Sequence, residues 1–285
     1  MPYHYHKYHA LGNDYIVIDP AHFNLKLSRE NIRLICDRHY GIGSDGILYG
    51  PIIEDGNIKL KIFNPDGSEA EKSGNGIRIF SRYLYEEKYV KKPNFEIHTL
   101  GGKVKVAIIE ESGELIKVDM GTVTFYSKQI PVNLEEKEMV DYSLKIGEDT
   151  YKVTCLSIGN PHCVIPMIDI SKDKALKLGP IVENHPIFPN KINMQIMKVL
   201  DRNNIQIEIW ERGAGYTMAS GSSSCAAASA AYKLGYVNNQ INVIMPGGII
   251  EIFIDDNEHV HMTGKVDNVG KGIFSESFIK QLFPM

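Results

Sequence analysis

The sequence predicts an α+β fold made of two related halves, each a sheet or barrel wrapped on one central helix. Three observations predict it. Blocks of the chain repeat after a shift of 147 residues. Period-two patterns, which read as strands, far outnumber helical ones. One long helical pattern recurs in each copy, and each follows a Ser-Gly pair, at Ser73-Gly74 and Ser220-Gly221.

The repeat is read first because it fixes the organisation. The shift lays Gly12-Asn13 on Gly159-Asn160 and Val17-Ile18 on Val164-Ile165. It lays Ile62-Phe63 on Ile209-Trp210, Ser73-Gly74 on Ser220-Gly221, and Tyr85 on Tyr232. Tyr89-Val90 meets Tyr236-Val237, and Gly101-Gly102 meets Gly247-Gly248 one residue out of step. So many pairs in order are not expected by chance.

Each copy then shows the same elements in the same order. KLKIFNPDG and IQIEIWERG alternate as strands. Turns follow at Asp66-Gly67 and through Gly213-Ala214-Gly215. SGNGIRIFSRYLYEEKYV and SGSSSCAAASAAYKLGYV read as helices, the second rich in small residues that allow close packing. A Gly-Gly hairpin then joins two strand patterns, FEIHTLGGKVKVAII and INVIMPGGIIEIFI. The halves are expected to meet near Gly121. The C-terminal tail, from about Ile273, has no repeat partner and is expected to return to the first half. The expected domains are therefore 1–121 with 273–285, and 122–272, with a ligand cleft between them.

Composition narrows the function. The chain has 285 residues, 43% of them hydrophobic, and a formal net charge of −4. It is long enough for one large domain or two ordinary ones, with a real core. Charge is scattered without an acidic or basic block, so nothing points to nucleic acid. No apolar run reaches the roughly 20 residues of a membrane helix. The start, MPYHYHKYHALGND, lacks the apolar core of a signal peptide. A cytosolic protein is expected. Cys36, Cys155, Cys163 and Cys225 lack metal or redox spacing and read as buried free thiols. His4, His6 and His9 read as an aromatic-rich strand with surface histidines rather than a metal site.

Duplicated units usually pair about a pseudo-twofold axis. That arrangement would bring the helix starts at Ser73-Gly74-Asn75-Gly76 and Ser220-Gly221-Ser222-Ser223 into one cleft. Unsatisfied backbone N–H groups and two helix dipoles would then favour a small anion, most simply a carboxylate. Taken alone, each serine reads equally as an ordinary N-cap. Asn13, Asn64, Asn160 and Asn193 lie at or near the ends of apolar runs. Arg212 is the candidate for a second carboxylate. Glu211 is a candidate general acid/base or ammonium anchor. His162, Lys72 and Cys225 are nearby supporting candidates, with Lys72 reading more simply as exposed and Cys225 as structural.

These motifs resemble the diaminopimelate epimerase family, nearly end to end. The resemblance is carried by KYHALGNDYIVID, DRHYGIGSDGIL, FNPDGSEAEKSGNGIR, GNPHCV, the stretch ending KINM, ERGAGYTMASGSSSCAAA and HMTGKV. It implies two pseudo-symmetric domains, each a β-barrel-like sheet around a central helix. It implies epimerisation of an amino acid without pyridoxal phosphate or another cofactor, no metal, and a homodimer. It places Asn13, Asn64, Asn160, Asn193, Glu211 and Arg212 on substrate-binding positions. Gly74, Asn75, Gly221 and Ser222 would supply N–H groups to the α-carboxylate.

The resemblance also implies cysteine at 73 and 220, one thiolate taking the α-proton and the other thiol returning it from the opposite face. Here both are serine. A thiol has an ordinary pKa of about 8.5 and falls further at a helix N-terminus. An aliphatic hydroxyl is a far weaker acid and needs an adjacent base. Ser73 and Ser220 are the expected catalytic pair. Three readings stay open: a natural branch with a modified mechanism or another small amino or imino acid as substrate, deliberate replacement that disables the enzyme, and a noncatalytic amino-acid-binding relative.

Overall fold

A computed structural model describes residues 3–23, 26–135 and 137–284. The chain forms two compact units, Met1–Val118 with Gly264–Met285, and Asp119–Thr263. Each is described by itself.

The first unit opens with β1 (His4–Ala10) and β2 (Asn13–Ile18). Leu11 (φ 54°) and Gly12 (φ 83°) link them as a two-residue turn with both central residues left-handed. That is the twist a tight hairpin needs, and it delivers Asn13 at the strand start. Helix α1 (Arg29–Cys36) follows, capped by Ser28. Next come β3 (Ile47–Glu54), β4 (Asn57–Phe63), the short β5 (Glu69–Ala70) and α2 (Gly74–Glu86). Strands β6 (Asn94–Thr99), β7 (Gly102–Ile108) and β8 (Leu115–Thr122) complete the run.

The second unit holds β9 (Tyr142–Ile146), β10 (Asp149–Ser157), β11 (Pro161–Pro166) and α3 (Lys172–Glu183). It continues with β12 (Asn193–Val199), β13 (Asn204–Glu211), β14 (Gly215–Thr217) and α4 (Gly221–Lys233). Strands β15 (Gln240–Met245), β16 (Gly248–Ile254) and β17 (His259–Lys265) end it. The chain then returns to the first unit as β18 (Asp267–Ile273) and α5 (Glu276–Leu282).

Strand order is the same in both units. In the first it runs β18-β1-β2-β3-β4-β6-β7-β8, with β2–β3 and β4–β6 parallel and the other neighbours antiparallel. In the second it runs β9-β10-β11-β12-β13-β15-β16-β17, with the parallel pairs at β11–β12 and β13–β15. Thus β18 takes in the first unit the edge place that β9 takes in the second. The return to the first unit comes at Gly264, ahead of Ile273, because β18 must pair with β1 over His4–His9.

The long helix of each unit contacts strands toward both ends of its sheet. Helix α2 packs on β1, β2, β3 and β7, and α4 on β10 through β13, β15 and β16. The sheets therefore wrap around them. Gly74 to Leu84 of α2 are all buried. The four apolar side chains Ile77, Ile79, Phe80 and Leu84 have no exposed surface. Burial of that kind stabilises by roughly 1.5–3 kcal/mol for each large side chain. In α4 small residues do the same work, with Ala226, Ala227, Ala228, Ala230 and Ala231 fully buried. Sequence reading foresaw one helix per copy, and α1 and α3 are additional. Helix α1 packs with α5 in a separate core of Ile16, Ile18, Phe23, Ile32, Ile35, Phe274 and Leu282. Among the described residues, no helix is long and apolar enough to cross a membrane.

Candidate active site

Ser73 and Ser220 hold the same place in their units. Both are N-caps with extended backbone, at φ −137°, ψ 116° and φ −147°, ψ 123°. Ser73 Oγ accepts from Gly76 N–H at 3.0 Å, and Ser220 Oγ accepts from Ser223 N–H at 3.4 Å. The Ser73 carbonyl takes Ile77 N–H, and the Ser220 carbonyl takes Ser224 N–H. The remaining first-turn donors, on Gly74 and Asn75 and on Gly221 and Ser222, have no intrahelical acceptor by helix geometry. These are the positions expected to receive a carboxylate.

In the first unit Asn75 Nδ2 donates to Asn13 Oδ1 at 3.0 Å. Arg78 Nη2 donates to Asn75 Oδ1 at 2.9 Å, and Asn13 Nδ2 donates to Asp45 Oδ2 at 2.9 Å. A donor-only guanidinium and an acceptor-only carboxylate therefore fix the orientation of both amides. Burial alone would raise the Asp14 carboxyl. Hydrogen bonds from Arg38 and Lys7 outweigh it and hold the group below its ordinary value. Tyr15 OH lies 3.2 Å from Ser73 Oγ. Asn64 is not drawn to the helix start: it is exposed, and its Nδ2 donates to Ser68 Oγ across the turn after β4.

The second unit repeats the frame with different chemistry. Asn160 Nδ2 donates to Ser222 Oγ at 3.3 Å, the counterpart of the Asn75–Asn13 contact. Asn160 Oδ1 lies 3.0 Å from His162 Nε2. Ser220 Oγ donates to Glu211 Oε2 at 2.9 Å. Turn residues Gly213 (φ 77°) and Gly215 (φ 81°) fold β13 back on β14, which brings Glu211 toward the start of α4. Asn193 is buried, donates to Pro161 O at 2.8 Å and accepts Arg212 N–H at 2.9 Å. The Arg212 side chain is exposed and bonds Asn190 O at 3.0 Å.

Four residues with no role assigned from sequence belong to this framework: Tyr15, Asp45, Arg78 and Glu183. Buried Glu183 accepts from Trp210 Nε1 at 2.7 Å and Gly213 N at 3.1 Å, and so grips both sides of Glu211-Arg212. Burial raises its carboxyl, but Trp210, Gly213 and Lys191 together hold it below its ordinary value. The repeat held a usable signal for Tyr15, which the shift of 147 lays on His162. All four cysteines are buried thiols outside any disulfide, and Cys225 lies inside α4. Of the N-terminal histidines, His9 sits 3.6 Å from Asp267 and His6 stacks on Tyr8. Among the described residues, no group of three or more His, Cys, Asp or Glu is placed to hold a metal ion.

His162 carries a testable pH signature. It is fully buried, and that burial, aided by the Arg212 charge and opposed by Gln195, lowers its pKa to about 3 from 6.5. Below pH 6.5 the unfolded chain binds a proton that the folded chain refuses. Stability is therefore full above pH 6.5 and is lost as pH falls toward 3, at up to about 1.4 kcal/mol per pH unit. Urea midpoints taken between pH 7 and pH 4 should show this slope in the wild type and lose that component in His162→Asn.

Comparison with known proteins identifies the family. The family profile described as Diaminopimelate epimerase matches residues 5–126 and 154–269. The chain is 52% identical to diaminopimelate epimerase 2 of a Nostoc species, over 95% of each chain. It is 40% identical to the diaminopimelate epimerase of Methanothermobacter thermautotrophicus, over 94% of this chain and 96% of that one. Among solved structures, a hydroxyproline epimerase from Agrobacterium vitis aligns with a TM-score of 0.70 at 11% identity, covering 97% of this chain and 94% of that one. A PhzF-family phenazine biosynthesis protein from Bacillus anthracis aligns at 0.67 and 18%, covering 96% and 99%. At those identities the structural likeness speaks to the fold. The profile match and the close relatives settle the family: this chain belongs to the diaminopimelate epimerases.

Proposed function

We propose that the protein inverts the α-carbon of an amino acid with two carboxylate ends, taking LL-diaminopimelate to the meso form and back. The observation that carries this reading is the Ser220–Glu211 contact at 2.9 Å, a hydroxyl and a carboxylate base at a helix start, in a chain of this family. Ser220 relays the α-proton to Glu211, and Ser73 returns a proton to the opposite face. N–H groups of Gly74, Asn75, Gly221 and Ser222 receive the α-carboxylate and stabilise the charge that builds on it. Asn13, Asn160 and Asn193 orient the substrate, Arg212 and Asn64 receive its distal end, and His162 steadies Asn160.

Neither serine acts by its own acidity. A hydroxyl is a competent relay only beside a group that takes or supplies the proton. We further propose that the reaction needs no pyridoxal phosphate and that the protein is a cytosolic homodimer, as the family resemblance implies.

The test is α-proton exchange. The protein is incubated without added cofactor in deuterium oxide with LL- or meso-diaminopimelate, and deuterium at Cα is followed by mass spectrometry. Wash-in together with isomer conversion is the expected result. Tight binding without exchange would identify a ligand-holding form instead, and no binding would remove diaminopimelate as the substrate.

A further inference from the structure

The two serines have chemically opposite partners. The shift of 147 pairs Tyr15 with His162 and Asn64 with Glu211. In the second unit the partner of the serine comes from position 211, and His162 turns to Asn160. In the first unit the choice is reversed. Asn64 bonds Ser68, and Tyr15 reaches Ser73. A carboxylate only accepts, whereas a phenol can donate. The first unit thus has no carboxylate where the second has its base, and has a phenol where the second has a buried imidazole.

Tyr15 is also fixed in place. It is 7% exposed and lies on β2 two residues from Asn13. Its ring lies against Gly46, where an added Cβ would fall 2.6 Å from Tyr15 Cε1 and 2.5 Å from the Phe63 carbonyl. Only glycine at 46 leaves room for the ring beside Ser73.

We propose that Tyr15 is the proton source behind Ser73. The proposal rests on the epimerase reading above. In this role Tyr15 is the donor of the 3.2 Å contact to Ser73 Oγ, which also accepts Gly76 N–H, and the Ser73 proton is turned to the substrate. When the carbanion is quenched, the Ser73 O–H bond breaks and the Cα–H bond forms. The Tyr15 O–H bond breaks as Ser73 O–H re-forms. Tyr15 ends as phenolate and regains its proton from water after product leaves. Run backwards, the same atoms carry the α-proton of the other isomer to the phenolate. A phenol has an ordinary pKa of about 10, so the charge rests on a far better anion than an alkoxide. Ser73 and Tyr15 form the acid arm, and Ser220 and Glu211 form the base arm.

The test is Tyr15→Phe, which keeps the ring and removes one oxygen. Interconversion of the isomers should fall by at least ~100-fold. Deuterium wash-in should fall equally for one isomer, yet persist within about threefold for the isomer whose α-proton the Ser220–Glu211 arm handles, since that arm can remove and return it unaided. A merely structural defect would lower both wash-ins together. In a Ser73→Cys background the Tyr15→Phe penalty should shrink at least tenfold, because a thiol carries an acidic proton of its own. Equal loss of both wash-ins, no loss, or an undiminished penalty in the Ser73→Cys background would overturn the proposal while leaving the epimerase reading intact. A wild-type protein that exchanges neither isomer would overturn that reading and this proposal with it.

Discussion

Replacing Ser73 and Ser220 together by cysteine should raise α-proton exchange on diaminopimelate by ~10²- to 10⁴-fold, the range that a positioned acid or base contributes. The argument starts from the helix starts. Each serine oxygen already accepts a first-turn N–H, from Gly76 at 3.0 Å and from Ser223 at 3.4 Å. A thiolate placed there would be stabilised by the same N–H groups and by the helix dipole, which lower a thiol from its ordinary value of about 8.5. An aliphatic hydroxyl starts from far weaker acidity and gains too little from the same field. Single exchanges should be unequal. Ser220→Cys keeps a carboxylate partner, whereas Ser73→Cys exchanges a phenol-fed relay for a self-sufficient acid. Steady-state rates for the single and double variants, with deuterium content of both isomers, check this. A gain below tenfold would show that the serine pair does not limit the rate. It would favour a lineage adapted to serine over a disabled enzyme.

Much of the fold was legible because the chain states it twice. The repeat and the two Ser-Gly helix starts led to paired sheets wrapped on α2 and α4. Strand β18 was not legible. Its sequence, DNVGKGI, lacks apolar alternation, and almost every residue of it is exposed. It is a strand because β1 offers an edge, which is a tertiary cause and leaves no local pattern. Helices α1 and α3 were missed for a related reason. Each covers the outer side of a sheet, and the short α1 owes its stability to packing with α5 and the sheet rather than to its own length.

The site divides in the same way. Ser73, Ser220, Gly74 and Gly221 were legible because cap chemistry is local. The partners of the serines were not, because they depend on which strand ends meet. In NDYIVI, Tyr15 reads as one more buried strand residue. Only the folded chain shows its hydroxyl at 3.2 Å from Ser73. From sequence Glu211 is a candidate general acid/base or ammonium anchor, with no sign that it meets Ser220. That pairing needs the reversal at Gly213 and Gly215. Asn64 marks the limit of reasoning from the repeat: it occupies the position of Glu211, yet its amide is engaged within its own turn.

Glu211→Gln should lower kcat by ~10²- to 10⁴-fold while KM stays within about threefold. The substitution is nearly isosteric, and a glutamine oxygen can still accept the Ser220 hydroxyl, so the contact survives and only the basicity is lost. The surroundings hold the residue in place whatever its side chain. Glu183 accepts from Trp210 on one side and Gly213 on the other, and Asn193 accepts Arg212 N–H. Folding stability should therefore be unchanged in urea titrations, which separates lost chemistry from lost structure. Groups that act as one unit are also non-additive, so adding Ser220→Ala to Glu211→Gln should cost little beyond the single change. Tyr15→Phe, on the other arm, should instead spare the wash-in that Glu211→Gln removes. A Glu211→Gln enzyme retaining more than about a tenth of wild-type turnover would be inconsistent with the loss expected for a general base and would reassign that role. Equal loss of both isomers' exchange with unchanged stability would mean that one group serves both faces, and the division into an acid arm and a base arm would fail.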